Sequence, residues 1–310
     1  ARIPMAIVLS KPDILGINGI WWSISISSIF KGIIFLTLIV ILSGCTLFQK
    51  KSTIPTIEQV YSSILLDDAY RLNKYLIDGF PLNYENSDGK NLLVIALENN
   101  SLNSIDILLN KDIDKNKRDN FGKTPIFYVR SFDALKKLCE DKAELNVLNN
   151  QGEPLFIYFL KNKPISYSEY IITQNIDFQL KDKNGWSAMF WSGIVGNPEL
   201  IRKMNERGAN FLEVDERGNY PIYYVYDEKN LMELLNIKGY DLKKRNLNRE
   251  NILGEVYLRA VANGFTDVIK RVLELGVNPN YASYGDNAIS IAKENKNSEM
   301  IKFLNDNGIK

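Results

Sequence analysis

Lys183-Asn184-Gly185-Trp186-Ser187-Ala188-Met189-Phe190-Trp191-Ser192-Gly193-Ile194-Val195-Gly196-Asn197-Pro198-Glu199-Leu200-Ile201-Arg202-Lys203-Met204-Asn205-Glu206-Arg207-Gly208 is the stretch whose reading decides the fold. Its first three residues are turn formers. The short apolar run that follows predicts a helix, and Gly196-Asn197-Pro198 breaks it. Pro198 suits the first turn of a second helix. Leu200, Ile201 and Met204 fall on one face of that helix. Gly208 ends it, as a residue free to adopt positive φ. Asp215-Glu216-Arg217-Gly218 then starts the cycle again.

Outward from this unit the pattern recurs in both directions. Gly89, Gly122, Gly152, Gly185 and Gly218 are spaced by 33, 30, 33 and 33 residues. Glu250 takes the next slot and Gly285 the last. The units run approximately 56–87, 88–120, 121–150, 151–183, 184–216, 217–248, 249–283 and 284–310. The first lacks the turn, but Leu72, Tyr75, Leu76 and Gly79 match its second helix. The third is short before Ala134-Leu135, and the seventh is long around Gly254-Glu255. One helix pair cannot bury both of its faces, so stacked neighbours must share a continuous core. The expected rungs are Ile105/Leu108/Leu109, Leu135/Leu138, Ile171/Ile172, Leu200/Ile201/Met204, Leu231/Leu234/Leu235, Val268/Ile269/Leu273 and Ile301/Phe303/Leu304. Lys293, Glu294, Lys296, Glu299 and Lys302 fit a solvated cap on the last unit.

A turn followed by two helices at this period resembles the ankyrin repeat, whose motif is Gly-x-Thr-Pro-Leu-His-x-Ala. Gly122-Lys123-Thr124-Pro125-Ile126-Phe127 is the nearest match. Gly218-Asn219-Tyr220-Pro221-Ile222-Tyr223 and Gly185-Trp186-Ser187-Ala188-Met189-Phe190 are similar. Gly152-Glu153-Pro154-Leu155-Phe156 has lost one residue, and Gly89-Lys90-Asn91-Leu92-Leu93 and Gly285-Asp286-Asn287-Ala288-Ile289 are looser. The resemblance covers about four-fifths of the chain. It implies an all-α fold: an ankyrin-repeat solenoid of about eight helix-turn-helix units with hairpin-like turns, preceded by an apolar signal or anchor segment. Phe127, Phe156, Phe190 and Tyr223 occupy the slot of the motif histidine. In the family that histidine bonds the motif threonine and the loop backbone. Aromatics in its place are expected to substitute packing for hydrogen bonds, as a core ladder with less uniform turns.

Composition narrows the chemistry. The 310 residues carry a net charge of +1, which argues against a dedicated nucleic-acid surface. There is no histidine, which removes histidine bases, histidine triads and most zinc sites. The two cysteines, Cys45 and Cys139, are too few for a disulfide framework. Cys139 falls beside Leu138 in a second-helix pattern and reads as a buried structural thiol. Gly122-Lys123-Thr124 imitates the end of a phosphate loop, but Lys117 stands where its first glycine belongs. Asp112-Ile113-Asp114-Lys115-Asn116 begins like a calcium loop, but Lys117 and Lys123 replace its glycine and bidentate glutamate. No Gly-x-Ser-x-Gly or Ser-x-x-Lys frame marks a nucleophile. The sequence thus predicts no catalytic residue, no metal site and no small-molecule cofactor, with an envelope hydrolase as the alternative of another class.

The N-terminal region reads separately. Residues 1–29 form a leader of uncertain role, 30–45 a signal segment, 46–55 a tether and 56–310 the repeat domain. Lys31 precedes an apolar run from Gly32 to Leu42, the length of a secretory signal core. Leu42-Ser43-Gly44-Cys45 resembles the lipobox of bacterial lipoproteins. That resemblance implies cleavage before Cys45 and its lipidation, with several acyl chains giving stable anchoring. With Ile14–Phe30 included, the apolar stretch is also long enough for a plain transmembrane anchor. Thr46 after the cysteine favours the outer membrane over the inner one in a diderm envelope. Gln49 to Pro55 is a polar tether.

In the resembled family, ligand contacts concentrate on turn tips and the exposed end of the first helix, on the concave side. Carried over by position, these are Lys183, Asn184, Trp186, Ile194 and Val195 in the fifth unit. In the sixth they are Glu216, Arg217, Asn219, Asp227 and Glu228. Trp186 stands out as a large aromatic at a turn, a favoured hot-spot type; packing on the neighbouring turn is the competing explanation. Trp191, Tyr224 and Tyr226 are further candidates, half-buried between units. The sequence therefore points to a lipid-tethered, protein-binding scaffold or adaptor of a bacterial envelope, with an immunity-type toxin inhibitor as the alternative.

Overall fold

The computed structural model describes residues 54–241 and 243–309. The leader 1–29, the signal segment 30–45 with Cys45, and most of the tether lie outside the described residues. The repeat elements from Thr56 to Leu76 and from Pro81 onward form one compact unit.

The structure has the ankyrin-repeat fold, with six helix pairs and two units that combine a 3-10 turn with one helix among the described residues. The first members of the pairs, the inner helices, alternate with second, outer helices. The pairs are α1 (Ile57–Leu65) with α2 (Ala69–Ile77) and α3 (Leu92–Asn99) with α4 (Leu102–Asn110). A 3-10 turn, Pro125–Tyr128, precedes α5 (Phe132–Glu140). Then come α6 (Leu155–Asn162) with α7 (Ile165–Ile171) and α8 (Ala188–Val195) with α9 (Pro198–Glu206). A second 3-10 turn, Pro221–Tyr224, precedes α10 (Glu228–Leu235). Finally α11 (Ile252–Asn263) pairs with α12 (Thr266–Glu274), and α13 (Ala288–Glu294) with α14 (Ser298–Asp306).

The fifth unit shows why the sequence folds this way. In α8, Ala188, Met189 and Phe190 are buried, as are Ser192 and Gly193. The Asn197 side chain caps α9 by accepting from the Leu200 N–H at 2.7 Å. Pro198 supplies its first residue, and Leu200, Ile201 and Met204 are wholly buried. Gly208, at φ +86°, turns the chain out of the helix. Inner helices sit between two neighbours, so they lack the polar stripe of the outer ones; all six residues from Leu92 to Leu97 of α3 are buried.

Most expected rungs are core. Three are displaced: Leu109, Leu273 and the pair Ile301/Phe303 are half-buried, while Val272 and Met300 take the interior positions. The shift follows from where each outer helix starts, which sets the face turned to its neighbour. Lys293, Glu294, Lys296, Glu299 and Lys302 are all exposed on the last unit.

The two 3-10 turns depart from the expected two-helix plan. Both begin with proline, both last four residues, and both are followed by an extended valine, Val129 or Val225. The third and sixth units are the short ones. The seventh unit is long because α11 extends to 12 residues. In the turns, isolated bridges join Glu85 to Asn91, Leu148 to Pro154 and Arg245 to Asn251. The last turn is a full hairpin, β1 (Ala282–Ser283) with β2 (Asp286–Asn287), closed by Tyr284 and Gly285 at positive φ.

Candidate protein-binding surface

Each turn before the last is built on an Asp or Asn three residues before a residue in the left-handed region. Asn86, Asp119, Asn149, Asp182, Asp215 and Asn246 are the anchors. The Oδ1 of Asp182 accepts from the N–H groups of Asn184 at 2.9 Å and Trp186 at 3.1 Å. Asp215 does the same with Arg217 and Asn219, both at 2.9 Å. Asp119 holds Phe121 and Lys123, also at 2.9 Å. In the seventh turn the anchor is Asn246, and Arg249 at φ +65° fills the left-handed slot. The slot therefore falls on Arg249 rather than Glu250.

This arrangement corrects the expectation of irregular turns. The pinning group is the side-chain oxygen of the anchor, so losing the motif histidine leaves the six anchored turns alike. What the missing histidine does leave is the Thr124 hydroxyl, buried with no hydrogen-bond partner. Ser187, at the equivalent position, donates instead to the carboxylate of Glu213.

The aspartate anchors need a donor for their second oxygen, because Asp119 and Asp182 are buried and Asp215 half-buried, and a buried carboxylate oxygen without a donor is costly. It comes nine residues on. Tyr128 donates to Asp119. Trp191 Nε1 donates to Asp182 at 2.9 Å, and Tyr224 donates to Asp215 at 2.5 Å. Where the anchor is asparagine the residue nine on is Ile95, Tyr158 or Glu255. The Tyr224 hydroxyl is pushed up to about 12, by burial first and then by the bond to Asp215. Tyr128 is raised further for the same two reasons.

These aromatics gather around Trp186. Its ring stacks on Phe190 at 5.5 Å and 19°, meets Trp191 edge-on at 5.5 Å, and lies 4.7 Å from the Tyr224 ring of the next unit. Trp186 is half-buried, so packing on the neighbouring unit accounts for part of its surface. Lys183, Asn184, Glu216 and Arg217 are exposed tips. Val195 is 41% exposed at the end of α8, beside half-buried Ile194. Asp227 is exposed and caps α10, accepting from the Asn230 N–H at 2.9 Å. Glu228 beside it is half-buried.

Asn219 is a correction. It is 2% exposed, and its amide donates to Tyr224 at 2.8 Å while accepting from Asn246 at 3.0 Å. It ties two turns together and offers no accessible surface. Tyr226 is more open than expected, at 67% exposure.

Two basic residues that the sequence reading passed over complete the short units. Lys163 Nζ donates to the Val129 carbonyl at 2.6 Å. Arg259 donates to the carbonyls of Tyr223 at 2.6 Å and Ile222 at 3.1 Å, and its guanidinium lies 4.5 Å from the Tyr226 ring centre. Each meets carbonyls at the end of a 3-10 turn, which a longer helix would have satisfied internally. A groove of about 360 Å³ beside Arg259 is lined by Tyr223, Tyr226, Glu255, Ser283 and Tyr284, among others.

Cys139 is half-buried rather than buried, and burial pushes its thiol up to about 11, away from nucleophilic thiolate. Among the described residues no group of His, Cys, Asp or Glu is placed to hold a metal ion, and no helix is long and apolar enough to cross a membrane.

The comparisons with known proteins agree with this fold. The family model for ankyrin repeats (three copies) matches residues 65–149. An ankyrin repeat protein of Acanthamoeba polyphaga mimivirus is 27% identical over 189 residues, 57% of this chain and 25% of the relative. The chain thus spans about a quarter of the length of that curated relative. Among solved structures, the ankyrin repeat domain of Bcl-3, a member of the IkappaB protein family, superposes with a TM-score of 0.54 at 15% identity. That match covers 63% of this chain and 92% of the other. The human ASB11 ankyrin repeat domain gives 0.53 at 15% identity, covering 69% and 96%. Residues 65–149 thus carry ankyrin repeats, and the described residues as a whole share the ankyrin-repeat fold.

Proposed function

We propose that this chain is a non-catalytic scaffold or adaptor that binds a protein partner through the turn tips and inner-helix ends of its fifth and sixth units. The observation that carries this reading is the Trp186 cluster. Four rings from two units are locked together by stacking and by bonds to Asp182 and Asp215. Around them lie exposed groups of mixed chemistry: Val195, Arg217, Asp227 and Tyr226. A rigid aromatic centre with a polar rim is what a hot spot requires, and preorganisation lowers the cost of binding.

The same proposal puts the protein at a bacterial envelope, held by lipid on Cys45 in the outer rather than the inner membrane of a diderm. The support for the tether is Leu42-Ser43-Gly44-Cys45 at the end of an apolar run. Two measurements test the two parts. Metabolic labelling with a fatty-acid analogue should mark the wild type and not Cys45→Ala; equal labelling refutes the tether. Affinity capture with the full tagged chain should recover a partner whose yield drops on Trp186→Ala at unchanged helicity. An undiminished yield moves the binding site elsewhere.

A further inference from the structure

Three cations converge where the third unit's inner helix stops after one turn. Lys123 Nζ lies 5.7 Å from the Tyr128 ring centre and 5.2 Å from that of Tyr158. Lys163 Nζ sits on the Val129 carbonyl at 2.6 Å, and Arg130, the next residue, is exposed. Among the described residues none of the three has an ion-pair partner, whereas the flanking lysines do. Lys90 pairs with Glu98 and Lys161 with Glu153, each at 2.6 Å. The three also oppose one another. The Lys163 ammonium is held below its ordinary range, by burial first and then by Arg130 and Lys123.

The fold does not require this charge. In the sixth unit the same proline-led frame carries Asn219 where Lys123 stands and Tyr226 where Arg130 stands. There the carbonyl-capping guanidinium of Arg259 is covered by the Tyr226 ring. Lys163 has a structural task; Lys123 and Arg130 have none that the frame demands. Uncompensated like charges on a recognition face mark a site for a partner of opposite sign.

We propose that Lys123, Arg130 and Lys163 receive the carboxylates of an acidic, extended segment of a protein partner. The guanidinium fork of Arg130 suits a carboxylate bidentately. Tyr128 and Tyr158 offer ring faces to the apolar parts of the same segment. A continuous polyanion fits less well, because Glu98, Asp119 and Glu153 border the cluster and would repel its neighbouring phosphates. The inference rests on the protein-binding reading but concerns different units and side chains.

The test uses the full chain and a short fluorescein-labelled peptide of alternating Glu, Ser and Tyr, with a Gln-for-Glu peptide as control. Fluorescence anisotropy should show salt-sensitive binding of the acidic peptide, at least about ten-fold tighter than the control. The Lys123→Glu/Arg130→Glu variant should lose about ten-fold or more, while Lys161→Gln keeps the wild-type affinity. Carbodiimide cross-linking should join the peptide to Lys123. Equal affinity for both peptides, or unchanged binding by the reversed variant, overturns the proposal. So does binding of phosphatidylserine vesicles or single-stranded RNA through these residues with none of the peptide. If a captured partner is lost on Trp186→Ala while the acidic peptide does not bind, the protein-binding reading stands and this one fails.

Discussion

The third and sixth units are two versions of one departure from the repeat. Pro125-Ile126-Phe127-Tyr128-Val129 and Pro221-Ile222-Tyr223-Tyr224-Val225 fold into the same 3-10 turn and extended valine. Each hangs its tyrosine hydroxyl on the aspartate nine residues earlier. Each has its freed carbonyls met by a basic side chain of the following unit. Their surfaces then diverge. The third unit leaves Lys123 and Arg130 uncompensated. The sixth seals its cation under Tyr226 and faces the carboxylates of Glu250 and Glu255; Glu250 accepts from Tyr223 at 2.8 Å and Tyr284 at 2.7 Å. Shared internal bonds beneath opposite outer charge show that the frame is a structural requirement, while the surface charge is free to differ between the two units.

The comparison is open to attack, starting with the largest effect. Ile126 and Ile222 are both wholly buried at matched places. Ile126→Ala and Ile222→Ala should each cost about 2–5 kcal/mol in urea unfolding. A loss at one site and near-neutrality at the other would mean that the two frames are not equivalent.

The capping cations should differ in size of effect. Lys163→Met strips one carbonyl of its partner and should cost about 1 kcal/mol. Arg259→Met strips two carbonyls and uncovers Tyr226, so it should cost roughly twice as much. Equal losses, or a larger loss at Lys163, would contradict the accounting of carbonyl bonds.

The smallest effect is on pH dependence. A tyrosine raised in the folded state favours folding below its ordinary value near 10, and that share is lost as pH rises through the folded value. For Tyr224 the window runs from about pH 10 to about 12. Tyr128 is displaced in the same direction, so both frames should weaken together in strong base. Tyr224→Phe should flatten the melting temperature across that window relative to wild type; an unchanged slope would show that burial and the bond to Asp215 do not displace this hydroxyl.

How much of this was legible in the sequence depends on the range of each signal. The period was legible because glycines such as Gly122 and Gly185 take positive φ in every turn but the seventh, a demand that few residues meet. The outer helices were legible through their apolar stripe, with slips such as Val272 for Leu273 that periodicity alone cannot resolve. The 3-10 turns were not, since four residues carry no helical period. Arg249 hid the seventh turn, because a non-glycine in the left-handed region carries no sequence mark. The donor pairing was present in plain view as Asp followed nine residues later by Tyr or Trp, but the motif histidine drew the reading to the adjacent slot. The caps by Lys163 and Arg259 join residues 34 to 37 apart, which no local pattern reports. The place of Asn219 beside Gly218 marks it as a tip in sequence, but its amide holds two turns together through a contact 27 residues away.

On the proposed function, partners dock on the turn tips and inner-helix ends rather than on the outer helices. Hydrogen–deuterium exchange on the full chain, free and with its captured partner, tests it most directly. The account predicts slowed exchange at 183–195 and 216–228, with the exposed faces of α9 and α12 unchanged. Protection confined to α9, α12 and the other outer helices would contradict it.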